Sequence, residues 1–307
     1  MTFKALMLCA ALLIPDGAAL AQSIEWYQQA TRTVLRNSRR LIEPTLEPSQ
    51  VRIARNTEYR VTGSSGIGAF AAFEDGRRVI VIHAGTVQMM DWFFDAIFMD
   101  ETLGHKGCYQ DYQQYLADAV DDNTRRVRGH LPPKAVASPM QYALDVGGSC
   151  GGASVEEFGQ NTEYQQIKAR AIEASIMFVY LHELGHHING DTLGRRTDDP
   201  AGLKMAREQE DAADRFAVLT ALKAGYYVSA ASPWFALIAA FGGNSIEAET
   251  KSDHPLGIRR ALTVYEETLS YLEKNPDAWP NRTTYADAVS DLERQVADVR
   301  STVGAIR

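Results

Sequence analysis

The stretch from Thr162 to Asn189 most constrains what this 307-residue chain can fold into. Its apolar residues Ile172, Ile176, Val179, Tyr180, Leu184 and Ile188 recur at helical spacing, and Asn189-Gly190 supplies a stop. The spacing predicts one long buried helix. Within it stands His182-Glu183-Leu184-Gly185-His186, an H-E-x-x-H pattern. Residues four apart on a helix share a face, so His182 and His186 can aim two imidazoles at one point with Glu183 flanking it. Two neutral imidazole nitrogens are half of a zinc site, and a catalytic zinc takes a third protein ligand and a water. Glu183 then stands where a base can take a proton from that water. His187 points about 100° round the helix from His186 and is expected beside the ligands or on the surface.

A chain that is 45% hydrophobic and 23% charged is ordinary globular material, sufficient for one large domain or two small ones. Met1 to Ala21 differs from the rest: one lysine (Lys4), an apolar run from Ala5 to Ile14, a break at Pro15 and Gly17, then Ala19-Leu20-Ala21. This pattern predicts a signal peptide cleaved after Ala21, with an apolar run too short to span a bilayer. Its loss removes one cation and one anion (Asp16), so the net charge stays at −8. That charge argues against nucleic acid or an anionic membrane as partner. The longest later apolar run, Trp234 to Phe241, fits a buried helix rather than a membrane span. The two cysteines that remain, Cys108 and Cys150, lack C-x-x-C partners, and outside the cytoplasm such a pair is expected to be a disulfide.

Along the chain, Ser23 to Leu41 has helical spacing and a basic face (Arg32, Arg36, Arg39, Arg40) that reads as solvated, ended by Pro44 and Pro48. Val51 to Val61 alternates as a strand does, and Gly63 to Gly68 follows as a turn. Ala69 to Ala72 and Arg78 to His83 read as two strands joined through Glu74-Asp75-Gly76-Arg77, with Val79-Ile80-Val81-Ile82 buried on both faces. Thr86 to Asp100 turns helical, with Val87, Met90, Phe94, Ile97 and Phe98 at core spacing. From Gly104 to Gly159 the periodicity weakens; a helix fits Tyr109 to Val120, and proline and glycine clusters predict irregular structure around it. A Cys108–Cys150 bridge would pin this segment at both ends. Asp199-Pro200 is a helix-start signal for Ala201 to Ala224, which stops at Gly225. Short apolar Pro233 to Phe241 and two helices, Leu256 to Leu272 and Thr284 to Arg300, complete the chain.

The third ligand is open at this stage. The extended pattern H-E-x-x-H-x-x-G-x-x-H fails, because Asn189 and Thr192 stand where it needs Gly and His, and Asp191 is one position away from an aspartate version. A glutamate on the following helix remains, and Glu210 and Asp214 there lie four apart on one face.

Here the chain resembles the HtpX and CAAX prenyl endopeptidase family of gluzincin metallopeptidases. The resemblance rests on His182-Glu183-Leu184-Gly185-His186, on Glu210-Asp211-Ala212-Ala213-Asp214 as E-x-x-A-D, and on Ser252-Asp253-His254-Pro255 with Arg260 as S-x-H-P…R. Gly68-Ala69-Phe70-Ala71 leading to Val79-Ile80-Val81 looks like the family's N-A-F-A strand pair, with Gly68 in place of its asparagine. The likeness implies that Glu210 is the third zinc ligand and that Asp214 orients a ligating histidine. It also implies that His254 and Arg260 lie near the site, where His254 can donate to a developing oxyanion. The membrane spans of many members are absent.

These readings combine into an expected α+β fold, predominantly helical and zincin-type with a small sheet. A single metallopeptidase domain over 22–307 would carry an insertion at about 104–159. The expected activity is zinc-dependent hydrolysis of peptide bonds, with Glu183 and His254 catalytic, His182, His186 and Glu210 on the metal, and Asp214 and Arg260 behind them. The expected substrates are unfolded or misassembled envelope proteins, and the chain itself is expected to be periplasmic or secreted. The rival reading is a zinc-binding chaperone-like or assembly factor without turnover; the intact Glu183 speaks against it, since holding a metal requires no base.

Overall fold

Asp75 and Gly76 both adopt positive φ (48° and 78°), the two-residue turn whose twist suits a tight hairpin. It joins β2 (Ala69–Glu74) to β3 (Arg77–His83) in antiparallel register, with Glu74 opposite Arg77. The strand before them, β1 (Thr57–Thr62), pairs in parallel with the other edge of β3, giving the order β1-β3-β2. Val79 to Ile82 are buried, as a central strand covered on both faces requires. The structure, a computed structural model, describes residues 23–152, 161–193, 197, 199–227, 235, 245–279 and 284–306. The expected signal segment and, apart from Phe235, the expected helix at 233–241 lie outside these residues.

Two helices precede the sheet. Ser23 caps α1 (Ile24–Ile42) through its hydroxyl, and Pro48 opens α2 (Pro48–Arg55). Val51 to Arg55 was expected to begin a strand and is helical instead. Pro48 in the first turn and Gln50, whose side-chain oxygen accepts from the Glu47 N–H at 2.9 Å, nucleate a helix that outweighs the β-branched Val51 and Ile53.

After the sheet, α3 (Ala84–Glu101) is apolar nearly all round because it separates two cores. On one side Ala84, Val87 and Met90 join the main core of α1, the sheet and the later helices. On the other, Trp92, Phe93, Ala96 and Met99 join a second core with α4 (Cys108–Arg128) and α5 (Pro139–Asp145). Cys108 and Cys150 are bridged there, their Cα atoms 4.6 Å apart. Within the stretch expected to be irregular around a helix at Tyr109–Val120, residues 104–152 thus hold a 21-residue helix that packs against α3, and residues 153–159 lie outside the described ones. Its apolar partners are long-range, which is why weak local periodicity concealed them.

The remaining helices are α6 (Thr162–Asn189), α7 (Pro200–Lys223), α8 (Ile246–Thr250), α9 (Gly257–Lys274) and α10 (Tyr285–Ala305). The described chain is thus predominantly helical with a small mixed sheet, an α+β arrangement. No described helix is long and apolar enough to cross a membrane. Gly190, at φ 84°, ends α6, and the Asp199 carboxylate accepts from Gly202 N–H at 2.7 Å to start α7. A buried Lys168 on α6 bridges Asp91 and Asp95 of α3 at 2.9 and 2.8 Å, tying the two helices between the cores.

Candidate metal centre

The packing of α6 on α7 creates the site. A Cβ placed on Gly185 would lie 3.2 Å from the Ala213 Cα and 3.2 Å from a Phe216 ring carbon, so a bare glycine lets the backbones meet at this level. Glu210, one helical turn before Asp214, is thereby brought to the face that carries His182 and His186. Leu184 is fully buried on the other side of the same turn and anchors it in the main core.

The three candidate ligands converge. His182 Nε2 lies 3.3 Å from one Glu210 oxygen and His186 Nε2 3.3 Å from the other, while the two Nε2 atoms are 3.2 Å apart. All three side chains are more than nine-tenths buried. For metal–ligand bonds of about 2.0–2.1 Å, adjacent corners of a tetrahedron are separated by about 3.3 Å. The two Nε2 atoms stand at about that spacing from each other, and one ligand atom from each of the three residues lies within 4.8 Å of the others, so this buried group could hold a metal ion.

Each imidazole is held by a carboxylate on its far nitrogen. His182 Nδ1 is 2.8 Å from Asp214 and His186 Nδ1 is 2.9 Å from Asp191. Because a carboxylate only accepts, these partners assign the Nδ1 atoms as donors, so that in the neutral imidazoles the Nε2 lone pairs face each other and Glu210. Arg260 stands behind them, its guanidinium gripping Asp214 twice at 2.8 Å and reaching to 3.5 Å from Glu210. Phe235 lies under that guanidinium, 5.0 Å from its centre, and meets Phe178, which stacks on His182.

The charge balance also calls for a cation. Glu183, Asp191, Glu210 and Asp214 bring four carboxyl groups into the protein, and Arg260 is the single fixed cation among these described side chains. In the metal-free chain burial disfavours the His182 imidazolium, yet Asp214 and Glu210 outweigh that and raise its pKa to about 10. Burial pushes Glu210 up, but the imidazoles of His182, His186 and His254 beside it hold it well below the usual carboxylate range. Asp214 is also held low, against its burial, by Arg260 and His182. Glu183 moves the other way: burial raises it in spite of His182 and His186. A divalent ion at the triangle would replace the proton on His182 as counter-charge.

The other site residues take distinct positions. His254 is half-exposed, with Nδ1 3.1 Å from Glu210, a contact that raises its pKa. His187, for which a surface position was one expectation, is buried. Its Nε2–H donates to the Val79 carbonyl of β3 at 3.1 Å, and its Nδ1 accepts from the Thr192 hydroxyl at 3.0 Å. Asp191, one position away from an aspartate ligand in the sequence, lies on His186 instead. The signal that could have found it was Gly190, since a left-handed helix end turns the next residues back along the helix.

No protein-family profile, curated protein or solved structure matches the chain. The class defined by fold and site is thus an α+β protein with a buried His-His-Glu group suited to a metal.

Proposed function

We propose that the chain is a zinc-dependent endopeptidase of zincin type, akin to the HtpX and CAAX endopeptidases in drawing its third ligand from the helix after the H-E-x-x-H motif. The observation that carries this reading is the donor triangle of His182, His186 and Glu210, with Glu183 adjacent to the first ligand on a buried helix. Two imidazole nitrogens and a carboxylate are donors that zinc favours. Zinc bound there supplies Lewis acidity, polarising a peptide carbonyl and acidifying water. The Glu183 carboxyl has no side-chain partner among the described residues, and in the metal-free chain burial raises its pKa. It takes the proton of the attacking water and passes it to the leaving amine nitrogen. His254, at the exposed rim, donates to the oxygen that gathers negative charge.

An unfolded or misassembled polypeptide is the substrate this arrangement favours. β2 packs against α6, and its outer edge has no strand partner among the described residues. An extended peptide added there is held by its main chain, with weak dependence on sequence. The Cys108–Cys150 bridge fits an oxidising compartment, in keeping with a periplasmic or secreted protein.

Cleavage of unfolded casein by the zinc-loaded chain, compared with Glu183→Gln, tests the reading. The variant should keep its zinc and lose about 10²–10⁴-fold in rate, the usual contribution of a general base. Undiminished cleavage by the variant contradicts this mechanism, and casein binding without cleavage by the wild type points to the chaperone-like alternative.

A further inference from the structure

The turn that follows α6 reaches back onto the helix it has left. Gly190, at φ 84°, reverses the chain, and the Leu193 N–H donates to the Gly190 carbonyl at 3.1 Å to close a short turn over Asp191–Leu193. Two consecutive residues of that turn then meet two consecutive histidines, each five positions back. Asp191 Oδ2 accepts from His186 Nδ1–H at 2.9 Å, and the Thr192 hydroxyl donates to His187 Nδ1 at 3.0 Å. His187 in turn donates from Nε2 to the Val79 carbonyl at 3.1 Å. The turn is therefore fastened through His187 to the central strand, and the Asp191 side chain it carries is only 9% exposed.

The consequence falls on His186. A neutral imidazole carries one N–H, on either nitrogen. With the proton on Nε2, His186 would donate to the Glu210 oxygen 3.3 Å away and present no lone pair to a metal. With the proton on Nδ1, the Nε2 lone pair faces the centre of the triangle. We propose that Asp191 is the positioning residue that selects this second state, so that the turn after the helix, and through it β3, sets the orientation of the second histidine. His182 receives the equivalent support from Asp214, a residue held by Arg260 rather than by the sheet. This inference rests on the reading of His182, His186 and Glu210 as metal ligands, and it assigns to Asp191 a role distinct from ligation.

Three proteins test it: wild type, Asp191→Asn and Asp191→Ala. Zinc affinity is read by competition with a chelator, the Tm of each metal-free protein by calorimetry, and the His186 tautomer of the metal-free wild type by long-range proton–nitrogen NMR at alkaline pH. Asparagine keeps an oxygen that accepts from Nδ1–H, so Asp191→Asn should stay within a few-fold of wild type, while Asp191→Ala should lose about 10–100-fold in zinc affinity. Asp191→Ala, which leaves the Nδ1–H without its acceptor, should have the lower metal-free Tm of the two variants, and the NMR spectrum should show the proton of His186 on Nδ1. Wild-type affinity in Asp191→Ala, equal weakening in both variants, or a proton on Nε2 in the wild type overturns the assignment. Failure of the wild type to take up zinc would instead overturn the metal reading, and the tautomer spectrum would still decide the role of Asp191.

Discussion

Arg260 holds Asp214 through two nitrogens at once, Nε to Oδ2 and Nη2 to Oδ1, both at 2.8 Å. Asp214 also accepts from His182 Nδ1 at 2.8 Å, so α9 orients a candidate ligand on α6 through a carboxylate on α7. All three groups are buried, and an ionic chain of this kind is strong only while every member is present.

Replacing Arg260 with methionine removes the counter-charge and keeps most of the volume. Removing one partner of a buried pair costs about 3–5 kcal/mol, and Arg260→Met should show a loss of that size in denaturant unfolding of the metal-free protein. Arg260→Lys should recover only part of it, because an ammonium cannot make the forked contact. A methionine variant as stable as wild type would mean that Asp214 does not depend on this pairing.

Acidity should affect the metal-free and metal-loaded chains differently. The pKa of His182 is raised from 6.5 in the unfolded chain to about 10 in the folded one. Its charged form therefore contributes stability that is complete below pH 6.5 and is lost as the pH climbs through 10. Thermal unfolding across that window should show Tm falling for the metal-free protein, with the same loss absent once zinc has displaced the proton. Zinc uptake at neutral pH should release protons, measurable in weakly buffered solution. Identical pH profiles for the two forms would contradict this.

The helix contact at Gly185 offers a test at a distance from the ligands' own chemistry. Gly185→Val places a branched side chain where Ala213 and Phe216 already approach within 3.2 Å of the added Cβ. Forcing α6 and α7 apart should cost about 1–3 kcal/mol of stability. It should also weaken zinc binding, since Glu210 moves with α7. Equilibrium unfolding and zinc titration of the same variant check both effects.

The disulfide should matter for stability and not for the metal. It closes a separation of 42 residues, for which chain entropy gives about 4 kcal/mol. It lies in the second core, beyond α3 from the ligands. Reduction, or Cys108→Ala with Cys150→Ala, should lower Tm by several degrees and leave zinc affinity within a few-fold of wild type.

Much of this architecture was legible in the sequence because local signals and tertiary packing agree there. Asn189-Gly190 ends α6, Asp199-Pro200 starts α7, and Asp75-Gly76 turns the hairpin, each through backbone chemistry carried by one or two residues. The geometric pairing of His182 with His186 followed from helical periodicity alone. Val51 to Arg55 is helical because the start signal at Pro48 and Gln50 prevails over the alternation of its apolar residues. Helix α4 was recognised in its first half and lost in its second, where Val127 and its basic neighbours give little apolar pattern. Asp191 on His186 and His187 on β3 depend on a chain reversal and a contact of 108 residues' separation, neither of which leaves a periodic trace.

Zinc titration of the metal-free chain, followed in parallel for wild type and Glu210→Ala, addresses the donor triangle most directly. The wild type should take up one zinc per chain, and Glu210→Ala should bind it at least 100-fold more weakly while keeping its helical content. A wild-type chain that takes up no zinc, or a Glu210→Ala variant that binds as tightly as the wild type, would contradict the assignment of His182, His186 and Glu210 as the metal ligands.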